Sequence, residues 1–133
     1  QEPGELVKVA SGGEISRLML SLKYILSRTK QLPVIIFDEI DTGVSGEIAH
    51  RMAEMMKEMA CRMQVISISH LPQIAAAGDH HFKVYKEDDQ MGTISRIRRL
   101  TDEERVAEIA GMISGSVISE AALENARLLL GQS

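Results

Sequence analysis

Hydrophobic positions along this chain switch between two periods, and the switches mark out alternating helices and strands. After Ser11-Gly12-Gly13-Glu14, the apolar residues Ile15, Leu18, Met19, Leu22, Ile25 and Leu26 recur at three- and four-residue intervals. That spacing predicts a helix from about Gly12 to Arg28, opened by the S-x-x-E form of a capping box. Pro33 then introduces Val34-Ile35-Ile36-Phe37, an unalternating apolar run. Such a run reads as a strand buried on both faces of a parallel sheet. A turn-rich loop, Thr42 to Gly46, leads to a second amphipathic helix with Ile48, Met52, Met55, Met56, Met59 and Met63 on one face. Gln64 to Ser69 is a second short strand, ending at His70, and a short helix or turn follows from Leu71 to near Gly78. His81–Lys86 and Thr93–Leu100 alternate around a polar Glu87–Gly92 stretch, the pattern of a β-hairpin. Two helices close the chain, Asp102–Ser114 and Ser119–Leu130, with Gly115 as the break. The β-α-β order predicts an α/β fold: a mainly parallel sheet with flanking helices and an antiparallel addition.

Composition narrows this picture without redirecting it. The 133 residues amount to about one domain, and 44% hydrophobic with 26% charged residues is ordinary for a globular protein. No apolar stretch approaches the roughly 18 residues of a membrane span, so no membrane partner is expected. The single cysteine, Cys61, rules out an internal disulfide framework and fits a reducing, cytoplasmic setting. A net charge of −4 gives no general electrostatic case for nucleic acid. Eight methionines and no tryptophan imply an aliphatic, adaptable core, and the methionine stripe is read as core.

The candidate chemistry lies at the ends of these elements. Asp38 and Glu39 follow the apolar strand directly, at the rim where open α/β sheets bind ligands, and Asp41 stands two residues on. Asp38 suits a hydrated Mg²⁺, which prefers carboxylate, water and phosphate oxygens. Glu39 can accept a hydrogen bond from an attacking water. Gly12 and Gly13 let a phosphate approach the backbone at a helix N-terminus, where unpaired N–H groups and the positive dipole end favour anions, and Ser11 can add its hydroxyl. His70 ends the neighbouring strand, within reach of a phosphate or a water. Each element alone is weak, but four of them fall in order within about sixty residues. His80 and His81 beside Asp79 lack further ligands at metal spacing, so no zinc site is assigned.

Together these motifs resemble the second half of an ABC-type ATPase head. VASGGEISRLMLSLK (Val9 to Lys23) is similar to the family's signature motif and helix, with Ala10 and Glu14 in place of the Leu and Gln usual in transporters. VIIFDEIDTGVSG (Val34 to Gly46) resembles Walker B, the catalytic Glu and the D-loop. ISISHLPQIAAAGDHHFKVYK (Ile66 to Lys86) resembles the switch-histidine loop and the strand after it. Among such heads, DEIDTGVSG and SHLPQIAAAGDHHF are most similar to the SMC and Rad50 relatives of bacterial DNA repair. The resemblance implies the C-terminal half of a P-loop NTPase head, with ATP and Mg²⁺ as cofactors. Ser11, Gly12, Gly13 and Glu14 would belong to the signature motif serving ATP on the opposite head of a homodimer. Asp38, Glu39 and His70 would serve their own head's ATP as metal ligand, catalytic base and switch residue. Asp41 would communicate across the dimer.

The phosphate cradle GxxxxGK[ST] does not occur in this sequence, nor does a sustained heptad pattern. The resemblance therefore implies a partner lobe carrying Walker A, and a coiled coil, elsewhere in a larger nucleoid-associated protein that repairs double-strand breaks. ATP would join two heads, and hydrolysis would release them and change DNA engagement. This chain alone is expected to be inactive. The edge of Gln64–Ser69 would lack its family neighbour, and self-association, a swapped segment or a rearranged hairpin is expected to cover it. A transporter ATPase and a non-hydrolysing dimerisation module are the alternatives. DNA contact by Lys83, Lys86, Arg96, Arg98 and Arg99 on the hairpin competes with a simpler role as a solvated, charge-balanced surface.

Overall fold

The computed structural model describes residues 12–29 and 33–132, with side chains omitted at 12–16, 26, 27 and 29. The chain divides into two compact units, residues 1–77 and 78–133. The first contains α1 (Gly12–Thr29), β1 (Val34–Asp38), α2 (Gly46–Ala60), β2 (Gln64–Ile68) and α3 (Pro72–Ala77). The second contains β3 (Phe82–Asp89), β4 (Gly92–Arg99), α4 (Asp102–Ser114) and α5 (Glu120–Leu129).

In the first unit β1 and β2 pair in parallel, from Val34 opposite Gln64 to Asp38 opposite Ile68. One sheet face is closed by α2, whose period-3.6 stripe buries Ala49, Met52, Ala53, Met56 and Met59. Ile35 and Phe37 from β1, Leu20 from α1 and Ile74 from α3 join the same core. Methionine suits this junction because its unbranched thioether fills gaps between strands and helices of unequal spacing. α1 is fixed on α2 by the Tyr24 hydroxyl, which donates to Glu58 Oε1 at 2.7 Å. The Lys23 ammonium lies 5.8 Å from the centre of the Phe37 ring, within cation–π range.

The other face of the sheet corrects the expectation of a strand buried on both sides. Burial along β1 alternates, with Phe37 at 1% exposure and its neighbour Ile36 at 57%. Val34, Ile36, Ile66 and Ile68 share the open side, because side chains alternate along a strand and parallel partners point the same way. The apolar run reflects two apolar faces, of which the described residues cover one. Among the described residues each strand pairs with a single partner, giving two two-stranded sheets.

In the second unit β3 and β4 pair antiparallel around Gln90-Met91. The strands run further into the polar segment than alternation predicts, because the Asp88–Thr93 and Glu87–Ile94 pairs continue the ladder. α4 starts at a full capping box. The Thr101 side chain accepts from Glu104 N–H, and the Glu104 carboxylate accepts from Thr101 N–H. Gly115 ends α4 at φ 79°, a positive φ that glycine adopts without a β-carbon clash. Ser119 caps α5, and Val106, Ile109, Ala110, Ala122 and Ala126 bury the α4–α5 seam. Small residues there let the two helices approach closely.

Candidate functional site

The register of β1 and β2 builds the site. Asp38 is the last residue of β1 and lies opposite Ile68, the last residue of β2. The pairing extends one step further, with Glu39 N–H donating to Ile68 O at 2.9 Å. Asp38, Glu39 and, two residues past Ile68, His70 therefore emerge at one end of the sheet, all exposed. Parallel strands necessarily bring their C-terminal ends together, and loops leaving that end are where an α/β sheet offers functional groups.

Glu39 sits at φ 51°, the left-handed region that a non-glycine residue enters at a cost of about 1 kcal/mol or more. Its neighbours hold it there. Its N–H is tied to β2, and its carbonyl accepts from the Thr42 hydroxyl at 3.0 Å. The turn continues with Val44 N–H donating to Asp41 O at 3.0 Å and Gly43 at φ 77°.

Asp41 points inward. It is 2% exposed, and Oδ2 accepts a hydrogen bond from the Ser69 hydroxyl. Ser69 Oγ in turn accepts from Leu71 N–H at 3.0 Å. Asp41 Oδ1 is buried with no hydrogen-bond partner among the described residues. Asp41, expected to communicate across a dimer, is thus anchored within its own unit. Ser69 and Thr42 are site residues that sequence reasoning missed. The available signal was a hydroxyl residue adjoining each candidate loop.

Gly12 and Gly13 form the first turn of α1, the helix start that close phosphate approach requires. Ser11, and with it the Ser11–Glu14 capping box, lies outside the described residues, as does the side chain of Glu14.

The second unit bears on the basic hairpin. Lys83 pairs with Glu108 at 2.7 Å, Arg96 with Glu87 and Arg98 with Glu104. Arg99 Nη2 meets His80 Nδ1 at 2.6 Å. Four of the five candidate DNA-contacting cations are therefore engaged within their own unit. His81 is half-buried, and its pKa is lowered, first by burial and then by the Arg105 and Lys83 charges against an opposing pull from Glu108.

Chemically, the sheet end can do two things. An exposed carboxylate at Asp38 fits Mg²⁺, which keeps several waters and takes one or two carboxylates together with phosphate oxygens. A second carboxylate at Glu39, on a fixed backbone, can orient or deprotonate a water. Among the described residues no cluster of three or more His, Cys, Asp or Glu could hold a metal by itself.

Solved structures place this architecture in a class. The Pyrococcus yayanosii SMC head domain with its coiled coil and joint superimposes at a TM-score of 0.66 and 27% identity, covering 77% of this chain and 19% of that one. The Thermotoga maritima SMC head domain gives 0.58 at 26%, covering 71% and 34%. A structure from a study of ATP-driven dimerisation and DNA-stimulated activation of SMC ATPases gives 0.67 at 23%, covering 84% and 66%. The fold is that of an SMC-type ATPase head, within the P-loop NTPases.

Sequence narrows the class to one kind of protein. The chain is similar to the DNA repair protein RecN of Halalkalibacterium halodurans at 48% identity, of Deinococcus radiodurans at 47% and of Bacillus subtilis at 44%. These matches cover 96%, 98% and 96% of the chain, which spans 22–23% of the relatives' length. No family model matches the chain. The resemblance is thus to RecN in particular.

Proposed function

We propose that this chain is the signature-motif, Walker B and switch-histidine part of the ATPase head of an SMC-like protein that repairs DNA double-strand breaks. The observation that supports this most is the β1–β2 register, which sets Asp38, Glu39 and His70 at one sheet end in a chain that matches RecN along nearly its whole length. Bound Mg²⁺ and ATP would supply the electrophilic phosphorus and a metal that neutralises developing charge. Asp38 would hold the metal. Glu39 would take or orient the proton of the attacking water, and His70 would donate to phosphate or water from the adjoining strand end.

Ser11, Gly12, Gly13 and Glu14 would serve ATP on a second, identical head, so a complete site needs two heads. It also needs a phosphate loop, which this sequence does not contain. Head joining on ATP and separation on hydrolysis would then control DNA engagement by the full-length protein in the cytoplasm, at the nucleoid. The charge pairing of the hairpin favours a structural surface over a DNA contact at Lys83, Arg96, Arg98 and Arg99.

The test is ATP turnover and head dimerisation by the full-length protein. Glu39→Gln is expected to keep ATP binding, lower turnover by roughly 100-fold or more and trap the head dimer seen by size-exclusion chromatography. The 133-residue chain is expected to show no Mg²⁺-dependent turnover. Undiminished turnover in Glu39→Gln would overturn the assignment of the base.

A further inference from the structure

We propose that Ser69 and Asp41 form a latch that sets His70 against the Glu39 loop, which makes Ser69 a positioning residue for ATP hydrolysis. The inference rests on the function proposed above and adds to it a residue that carries none of the chemistry itself.

Both capacities of the Ser69 hydroxyl are in use. It donates to Asp41 Oδ2 and accepts from Leu71 N–H at 3.0 Å. The Leu71 N–H can only donate, so the Ser69 oxygen accepts there and its own proton is directed to Asp41. The two bonds reach either side of His70, one leaving at residue 69 and one arriving at 71. On the other loop, Asp41 follows Glu39 by two residues, and the Glu39 carbonyl and N–H are themselves tied down by Thr42 and Ile68. The loop carrying the base and the loop carrying the switch histidine are thereby joined by one side-chain bond beyond the strand ends.

Asp41 is otherwise a costly residue. Its carboxylate is buried, with Oδ1 unpartnered among the described residues, and burying such a group is tolerated only when its remaining bonds are good. Without the Ser69 hydroxyl neither carboxylate oxygen would have a partner among the described residues, and the turn would have to open to hydrate them. Opening it moves Glu39 and releases Leu71, so both catalytic loops shift together. Displacements of about 1 Å at reacting groups cost on the order of 100-fold in rate.

The test compares Ser69→Ala, Ser69→Thr, Asp41→Ala and the Ser69→Ala/Asp41→Ala double variant in the full-length protein. Ser69→Ala is expected to lower kcat roughly 10- to 100-fold while KM for ATP changes by less than about threefold. Ser69→Thr, which keeps the hydroxyl, restores most of kcat. The double variant loses no more than either single variant, as residues acting through one bond should. Unchanged kcat in Ser69→Ala, a change in KM alone, or losses that multiply in the double variant would each overturn the latch.

Hydrogen exchange without nucleotide supplies a readout independent of turnover. Asp41→Ala should speed exchange at the Leu71 amide, although Asp41 does not bond it, and unaltered exchange there rejects the coupling. If Ser69→Ala does not fold, Ser69→Cys decides. Its thiol is a weak donor, so a lowered kcat with little change in KM for ATP supports the latch, and an unchanged kcat overturns it. Absence of turnover in the unsubstituted protein defeats the proposed function instead, and the exchange measurement then settles the latch by itself.

Discussion

The side chains at the sheet end are ordered by backbone constraints as much as by their own chemistry. Glu39 at φ 51° illustrates this. Glycine enters the left-handed region without penalty, whereas a β-carbon raises its energy. Glu39→Gly is therefore expected to be more stable than Glu39→Ala by about 1 kcal/mol, measured by urea unfolding, even though both lose the carboxylate. His81 gives a second residue-level prediction. Its folded-state pKa lies below the ordinary 6.5 because burial and the Arg105 and Lys83 charges disfavour the imidazolium. The unfolded chain then binds the proton more readily than the folded one. The stability contribution is present above pH 6.5 and is lost as pH falls through that value toward the folded pKa. Melting temperatures should drop from pH 7.5 to pH 5.5, and His81→Gln should reduce that slope, as thermal scans across the range would show. Neither feature was legible in the sequence. A histidine at a strand start looks alike whether it is solvated or half-buried, and a left-handed glutamate carries no local signature.

At the scale of elements, local patterning decided the fold and tertiary contact decided its faces. Helical periodicity located α1, α2, α4 and α5 to within a few residues, since an amphipathic stripe must face a core. The capping box at Thr101–Glu104 could have been read from T-x-x-E, as one was at Ser11–Glu14. Thr101→Ala is expected to cost about 1 kcal/mol, seen as a lower midpoint in thermal or chemical unfolding. Adjacent positions on β1 should respond very differently to truncation. Phe37→Ala empties a fully buried site and should cost about 3–5 kcal/mol, while Ile36→Ala should cost under about 1 kcal/mol, because Ile36 is already more than half exposed. Equal losses in denaturant titrations would mean that the open face of the sheet is covered in solution.

For the whole molecule, that open face sets the expected behaviour. Val34, Ile36, Ile66 and Ile68 form an exposed apolar strip beside a strand edge left unpaired among the described residues, and both features promote association between chains. The chain should run as a dimer or larger species in light scattering at micromolar concentration. The Ile36→Lys/Ile66→Lys double variant should shift it toward monomer, and a monomer before any substitution would refute the expectation. For the function proposed above, hydrolysis would need a phosphate cradle that this sequence does not contain.

The sequence by itself determined the order of helices and strands, the strand-end position of Asp38, Glu39 and His70, and the similarity to SMC-type heads. All of these are fixed by period and by motif spacing, which are local. Only the tertiary structure decided which face of β1 is buried, that Asp41 turns inward to Ser69, and that Lys83, Arg96 and Arg98 meet acids on α4 and on the hairpin itself. Those outcomes depend on residues far apart in the chain, and a one-dimensional pattern holds no record of which of two apolar faces finds a partner.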